Sequence, residues 1–146
     1  MTSRTELDGE LVVAEHWPID GPYRAHDLAE ALLAVEYLLR YANHATLEAA
    51  ERVVPTPEHA SILARHLGDA LAKLPQLCTQ LASRAEDFAA DAHLRADAAA
   101  QHPPAVQAQR AVTALTELAA TSTGLRERAQ AAASPLNTLY ISEDTE

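Results

Sequence analysis

The chain has 146 residues, enough for one domain that buries its own core without disulfides or a structural metal. It carries 21 acidic against 11 basic residues, a formal net charge of -10, and no segment concentrates Lys and Arg, so binding to bare nucleic acid or to an anionic membrane is not expected. The single cysteine, Cys78, excludes an intramolecular disulfide and any multi-cysteine metal site.

Alanine dominates the apolar residues. It fills 32 positions, whereas Phe and Trp occur once each, and Ala favours helices strongly while it buries little surface. The composition predicts closely packed helices around a thin leucine core, and its bias is typical of translation from a GC-rich bacterial genome. Because the sequence has no bilayer-length apolar stretch and no recognisable secretion signal, we expect a protein of the reducing cytoplasm.

Residues 1–23 are predicted to form a flexible tail followed by an extended arm. The first ten residues carry charges around a glycine and offer little to bury. The arm contains two prolines and a glycine, which forbid a continuous helix. We expect it to lay Trp17 and Ile19 on a helical bundle, with Trp17 capping the open end. A short helix or strand at Leu11–Ala14 is the alternative.

The first long helix is predicted from about His26 to about Val53. Its apolar residues recur at spacings of three and four, which places them on one side of a helix. They are Leu28, Leu32, Val35, Leu39 and Ala42. Pro55 and Pro57 end this helix, and Thr56 between them suits the N-cap of the next one.

The second helix is predicted from Pro57 to about Ala100, with a bend at Pro75. The apolar spacing continues through this proline, whereas a loop would reset its phase. The stripe consists of Ala60, Leu63, Leu67, Leu71, Leu74, Cys78, Leu81, Ala85, Phe88 and Ala92. A break into two helices at Leu74 is the alternative, because proline removes a backbone hydrogen bond and kinks the axis.

The last helix is predicted from Pro104 to Ala133. Residues 121–124 are mediocre helix formers, so we expect a soft spot there. Pro135 closes this helix, and residues 142–146 form an acidic tail.

These elements predict an all-α fold, an antiparallel bundle of three to four long helices over residues 24–141 with an irregular N-terminal arm. At about 1.5 Å per residue, an unbroken second helix would exceed ~60 Å, while the other two span about 40 to 45 Å. Either Pro75 folds the chain back into a compact bundle, or a second copy covers the excess in a homodimer. The residues expected at the interface are Trp17, Leu71, Leu74, Leu81 and Phe88.

Seven histidines make a metal site the first chemical hypothesis. Helical metal sites pair His with a carboxylate three or four residues away, and His26 with Glu30 and His44 with Glu48 have that spacing. Random placement produces several such pairs, and the sequence has no HExxH motif. The preferred interpretation is therefore solvated surface pairs, and no cofactor is expected.

A row on the first helix is a candidate ligand site. Tyr37, Tyr41, His44 and Glu48 lie along one stripe beside its leucine face, and tyrosine offers both an apolar ring and a hydroxyl. The preferred interpretation is a core boundary at which the rings pack and the hydroxyls stay wet. Cys78 lies on an apolar face without a recognisable catalytic partner, so we expect an inert thiol.

The leading functional hypothesis is a non-enzymatic helical protein that acts through protein contacts, as a homodimer and in a regulatory role, because its apolar stripes exceed what one short bundle needs. The alternative is a ligand- or metal-binding bundle, extending to an enzyme, that uses the face of His26, Tyr37, Tyr41, His44 and Glu48. A third hypothesis, an acidic inhibitor that mimics nucleic acid towards a basic partner, depends on net charge alone. The expected partner is a protein, first of all a second copy, with neither nucleic acid nor a membrane.

Overall fold

The computed structural model describes residues 7–142, which contain seven α-helices and no strand. The all-α helical prediction is confirmed. The predicted flexible tail at residues 1–6 and the end of the acidic tail at residues 143–146 lie outside the described part. The helices are α1 Gly9–His16, α2 Ala25–Glu48, α3 Ala50–Val53, α4 Pro57–Leu71, α5 Leu74–Ala90, α6 Pro104–Ser122 and α7 Leu125–Leu136.

The chain divides into two compact units, one ending at Val53 and the other beginning at Val54. This division falls inside the range 24–141 that the sequence predicts as one bundle domain. The first unit holds helices α1 to α3, and the second holds α4 to α7.

Helix α1 lies in the middle of residues 1–23, for which the sequence predicts a tail and an extended arm. The Asp8 carboxylate caps it by accepting hydrogen bonds from the backbone N–H groups of Glu10 at 3.0 Å and Leu11 at 3.2 Å. The short-helix alternative is therefore the one observed. Irregular backbone is confined to the residues between α1 and α2, where the prolines lie.

Helix α2 ends five residues earlier than the sequence predicts. It stops at Glu48, because Ala49 leaves the helical region at φ -144° and ψ 33°, and the short helix α3 follows. The Ala49 N–H still donates to the carbonyl oxygen of Ala45 at 3.0 Å. The predicted single helix to Val53 is therefore two helices, separated by one residue.

The second unit is a helical hairpin. Helices α4 and α5 form its outgoing arm, α6 and α7 form its returning arm, and α4 packs on α7 while α5 packs on α6. The arms are antiparallel, since Ser61 bonds to Ala133 whereas Gly68, further along α4, lies against the earlier residue Ala129. An exposed ion pair between Asp69 and Arg126 at 3.1 Å spans the same two helices.

The outgoing arm is interrupted just before Pro75. Helix α4 ends at Leu71 and α5 begins at Leu74, so the proline lies in the first turn, where its missing N–H costs no helical hydrogen bond. The break alternative is correct and the continuous bent helix is wrong. Because α4 and α5 pack on different helices, Pro75 does not fold the chain back on itself.

Helix α5 ends at Ala90, ten residues before the predicted end at Ala100. The cause is Asp91, which adopts φ -77° and ψ 117° and accepts a hydrogen bond from the backbone N–H of His93 at 2.8 Å. Such a local side-chain contact competes with continued helix. A non-helical loop then connects the two arms.

The returning arm breaks at the predicted soft spot. Helix α6 ends at Ser122, Thr123 is extended, and Gly124 has φ +85°, a left-handed conformation that favours glycine. Helix α7 then runs to Leu136 with Pro135 inside its last turn, so the predicted end at Ala133 is three residues too early.

Small side chains form the buried seam between the two arms, where the sequence predicts leucines. The buried residues are Ser61, Gly68, Cys78, Ala82 and Ala85 on the outgoing arm, and Val112, Ser122 and Ala133 on the returning arm. Small residues at a helix contact allow the two backbones to approach closely. The thin core expected from composition is present, and it contains mainly Ala, Ser and Gly.

Candidate functional site

An apolar row runs along the outgoing arm beside the seam. Its members are Leu67, Leu74, Leu81 and Phe88, which follow one another at intervals of seven residues and so share one side of the arm. Leu67, Leu81 and Phe88 each stand one residue before a position on the seam side, and one residue is about 100° around a helix. The returning arm therefore covers each side chain on one side only.

The side chains of the apolar row remain about half exposed in the hairpin. Their exposed fractions are 46% for Leu67, 37% for Leu74, 40% for Leu81 and 44% for Phe88. A row of large apolar side chains beside a filled seam is unusual for a surface that faces only water. The row includes three of the residues that the sequence predicts at an interface, Leu74, Leu81 and Phe88.

The returning arm contributes to the same face. Leu118 is 53% exposed and stands one residue before Ala119, which is half-buried in the seam. Leu81 on the outgoing arm has the same position relative to the buried Ala82. Two antiparallel helices are related by a twofold axis normal to the plane that contains both helix axes. Residues that stand one position before the seam on either helix therefore lie on the same face of the pair. Leu118 therefore extends the apolar face across the hairpin.

The opposite flank of the hairpin is polar. On the outgoing arm it carries Arg65, Thr79 and Glu86, which repeat in steps of seven or fourteen residues and are exposed. The hairpin thus has one apolar and one polar face, although both arms contribute alanines throughout. This amphipathic division is the pattern of a helix pair that is packed on one side.

A charged row lies directly beside the apolar row, one residue before it at each step. It consists of His66, Lys73, Gln80 and Asp87, all exposed. Near its acidic end, Arg84 donates to the Asp87 carboxylate at 3.1 Å, and the Arg84 guanidinium lies 4.4 Å from the centroid of the Phe88 ring. The edge of the apolar face is therefore basic at one end and acidic at the other.

The other two predicted interface residues lie elsewhere. Leu71 is half-buried at the end of α4, on the seam side of the arm. Trp17 belongs to the first unit, where it lines a groove.

That groove lies within the first unit, between the irregular segment and the start of α2, and has a volume of about 560 Å³. Its mainly apolar walls include Trp17, Tyr23 and Leu28, and an ion pair between Arg24 and Asp27 at 2.7 Å lies at its edge. The sequence gives no signal for it, because it depends on the turn that returns the chain to α2. Trp17 forms one wall of this groove, and its role as a bundle cap stays a prediction.

In comparisons with protein-family models, curated proteins and solved structures, no match to this chain is found. Among the helices of residues 7–142, none is both long and apolar enough to cross a membrane.

The predicted ligand stripe lies along α2. Tyr37 and Tyr41 are well exposed, at 58% and 69%, and His44 and Glu48 are exposed one and two turns further on. The hypothesis that these four residues bind a ligand stays a prediction.

The predicted metal ligands are also on α2. His26 and His44 are separated by eighteen positions, about 27 Å along one helix, so the pairs His26–Glu30 and His44–Glu48 cannot share one ion. Across the described residues, no three His, Cys, Asp or Glu side chains are grouped so that they could hold a metal. A metal site at either pair stays a prediction.

Proposed function

We propose that this protein is a non-enzymatic helical protein that acts by binding another protein, first of all a second copy of itself. The observation that supports this most strongly is the half-exposed apolar row, Leu67 to Phe88, beside a seam that small residues already fill. Burial of apolar surface is the main driving force of association. A regulatory role and a cytoplasmic location are further parts of the proposal.

The total exposed area of the chain supports the same proposal. The chain exposes 12318 Å². Two separate compact bodies of about 6 and 10 kDa, the sizes of the two units, would together expose only about 9,000 Å². The surplus includes the exposed apolar side chains of α2, α4 and α5, which the chain itself does not cover.

The direct test is the mass of the protein in solution. Size-exclusion chromatography with light scattering, at tens of micromolar, is expected to give twice the 15.7 kDa of one chain. A single species with the mass of one chain over the whole accessible concentration range would contradict self-association.

A second candidate function is the binding of an apolar small molecule in the groove beside Trp17. The volume of about 560 Å³ lies within the range of small-molecule sites, and aromatic walls with a few polar groups are typical of them. The dye ANS (anilinonaphthalene sulfonate) is a suitable apolar probe, because Trp17 is the only tryptophan and forms a wall of the groove. Dye bound elsewhere on the chain can also quench Trp17, so variants of the groove are needed to assign the signal.

The control for this test is a pair of alanine substitutions on α2. Ala31 lines the groove, so Ala31→Leu is expected to raise the dissociation constant for ANS, measured from Trp17 quenching, about tenfold. Ala29 is exposed and does not line it, so Ala29→Leu should leave quenching unchanged. Equal behaviour of the two variants would reject binding in the groove.

A further inference from the structure

We infer that a second copy of this chain covers the apolar row, so that two hairpins pack antiparallel through this face as a four-helix bundle. The inference rests on the proposed self-association and specifies its surface and its geometry. It is carried by the juxtaposition of the apolar row with the charged row on its edge.

The face has the area that a stable dimer needs. With the twofold axis near Gln80, the outgoing arms overlap from Ala70 to Ala90, a length of about 30 Å, and two packed helices are about 20 Å wide. Each copy would therefore bury about 600 Å², or about 1,200 Å² in total, at the lower end of the standard range for specific interfaces. Leu118 lies on the same face, so the apolar contact extends over both arms.

The charged row determines the orientation. Lys73 lies seven residues before Gln80 in the sequence, and Asp87 lies seven residues after it. In an antiparallel pair with the twofold axis near Gln80, Lys73 faces the partner's Asp87 at both ends of the interface. A twofold axis along the helices would instead place each outgoing arm against the partner's returning arm, so that Lys73 and Asp87 would lose this pairing.

Asp87 is suited to accept this second cation. Its carboxylate is 62% exposed and already accepts from Arg84 on one oxygen at 3.1 Å, and a carboxylate has several further acceptor positions. Because the same surface is used by both copies, the contact closes at two chains and leaves no apolar row for a third.

The surface is tested by replacing two members of the row. Leu74→Gln with Leu81→Gln is expected to raise the dimer dissociation constant about 100-fold in sedimentation equilibrium, because both side chains lie in the middle of the contact. The matched control is Thr79→Gln with Glu86→Gln on the polar flank of the same helix, where both side chains are exposed; this variant should dimerise as the unchanged protein does.

Circular dichroism separates loss of association from loss of folding. Since the row is half exposed within one hairpin, the row variant should keep its helical signal. If the row variant dimerises normally, the inferred surface is wrong although self-association stands. If the unchanged protein is itself monomeric, the proposed self-association is wrong, and the inferred surface is wrong with it.

The orientation is tested by cross-linking introduced cysteines with a short bis-maleimide reagent in a Cys78→Ala background. A direct disulfide is unsuitable, because the charged row lies about 100° around the helix from the contact and its positions are too far apart. Gln80→Cys chains should cross-link with themselves, because position 80 lies near the twofold axis. Lys73→Cys chains should not cross-link with themselves, but should do so when mixed with Asp87→Cys chains. Self-cross-linking of Lys73→Cys without the mixed product would overturn the antiparallel arrangement.

Discussion

The Ser61 hydroxyl donates a hydrogen bond of 2.9 Å to the carbonyl oxygen of Ala133, and so joins the two arms of the hairpin across 72 positions of sequence. Both residues are buried, with exposed fractions of 1% and 3%. The Ala133 carbonyl also accepts the helical bond from the Asn137 N–H at 3.0 Å, so α7 keeps its own ladder. The contact requires the backbones to lie close together, which only small residues permit.

We therefore expect Ser61→Ala to lower the free energy of unfolding by about 1 kcal/mol, the net value of one such hydrogen bond. The loss should not be larger, because the Ala133 carbonyl retains its helical partner. Urea unfolding followed by circular dichroism measures it. Ser83→Ala, at an exposed helical position, is the control and should be neutral or slightly stabilising; equal losses in both variants would argue against the bond.

Gly68 is the point of closest approach between α4 and α7. A Cβ atom at this position would lie 2.9 Å from the Ala129 Cβ and 3.4 Å from the Arg126 carbonyl oxygen. Alanine would gain about 1 kcal/mol of helix propensity, but overpacking of a fixed contact costs about 1 to 3 kcal/mol. Gly68→Ala is therefore expected to destabilise the hairpin by up to about 2 kcal/mol, the difference between these two effects.

The partner substitution tests whether this contact is the cause. Ala129→Gly removes the atom that the new methyl group meets, so adding it to Gly68→Ala should be less destabilising than the two single changes predict. A coupling energy of about 1 kcal/mol in a double-mutant cycle is expected. Additive effects would place the loss elsewhere.

Gly124 is required for its backbone conformation and not for space. Its φ is +85°, and an added Cβ would meet only the Glu127 side chain, at 3.8 Å. Gly124→Ala should thus lower stability by about 1 kcal/mol, and Gly124→Asn by less, because Asn tolerates this region better. Thermal unfolding provides the measurement. Gly9→Ala, in open space at the start of α1, should have no such cost.

Thr56 caps helix α4, as the sequence predicts. Its hydroxyl accepts from the backbone N–H of His59 at 3.3 Å, and Pro57 occupies the first turn. Thr56→Ala should cost about 1 kcal/mol, and Thr56→Ser should retain most of the stability. Equal unfolding midpoints for Ala and Ser at this position would show that the cap is energetically irrelevant.

Much of the helical structure could be predicted from the sequence, because local signals specify it. Thr56 and Pro57 mark a helix start in any context, and Gly124 after three Ser or Thr residues marks a weak point. The end of α5 cannot be predicted from the apolar spacing, because that spacing continues past Asp91. The helix ends there through a contact of the Asp91 side chain with the following backbone, and this contact competes with continued helix.

The seam could not be placed from hydrophobic spacing alone. Stripes through Leu67 and Leu81 and through Gly68 and Ala82 have the same period, and differ only by about 100° around the helix. The larger side chains suggested the leucine stripe as the core, whereas close backbone approach selects the small ones. Gly68 was the available signal, since glycine inside a helix costs about 1 kcal/mol unless packing requires it.

The interruptions of the two arms fall opposite each other. With Gly68 against Ala129 and the arms antiparallel, Ala72 and Lys73 lie at the level of Leu125 and Gly124, next to the break in the returning arm. The hairpin is consequently a stack of two short blocks, α4 with α7 and α5 with α6, joined at a single elbow. The apolar row crosses this elbow between Leu67 in α4 and Leu74 in α5, so the curvature of the apolar face depends on the angle between the two blocks.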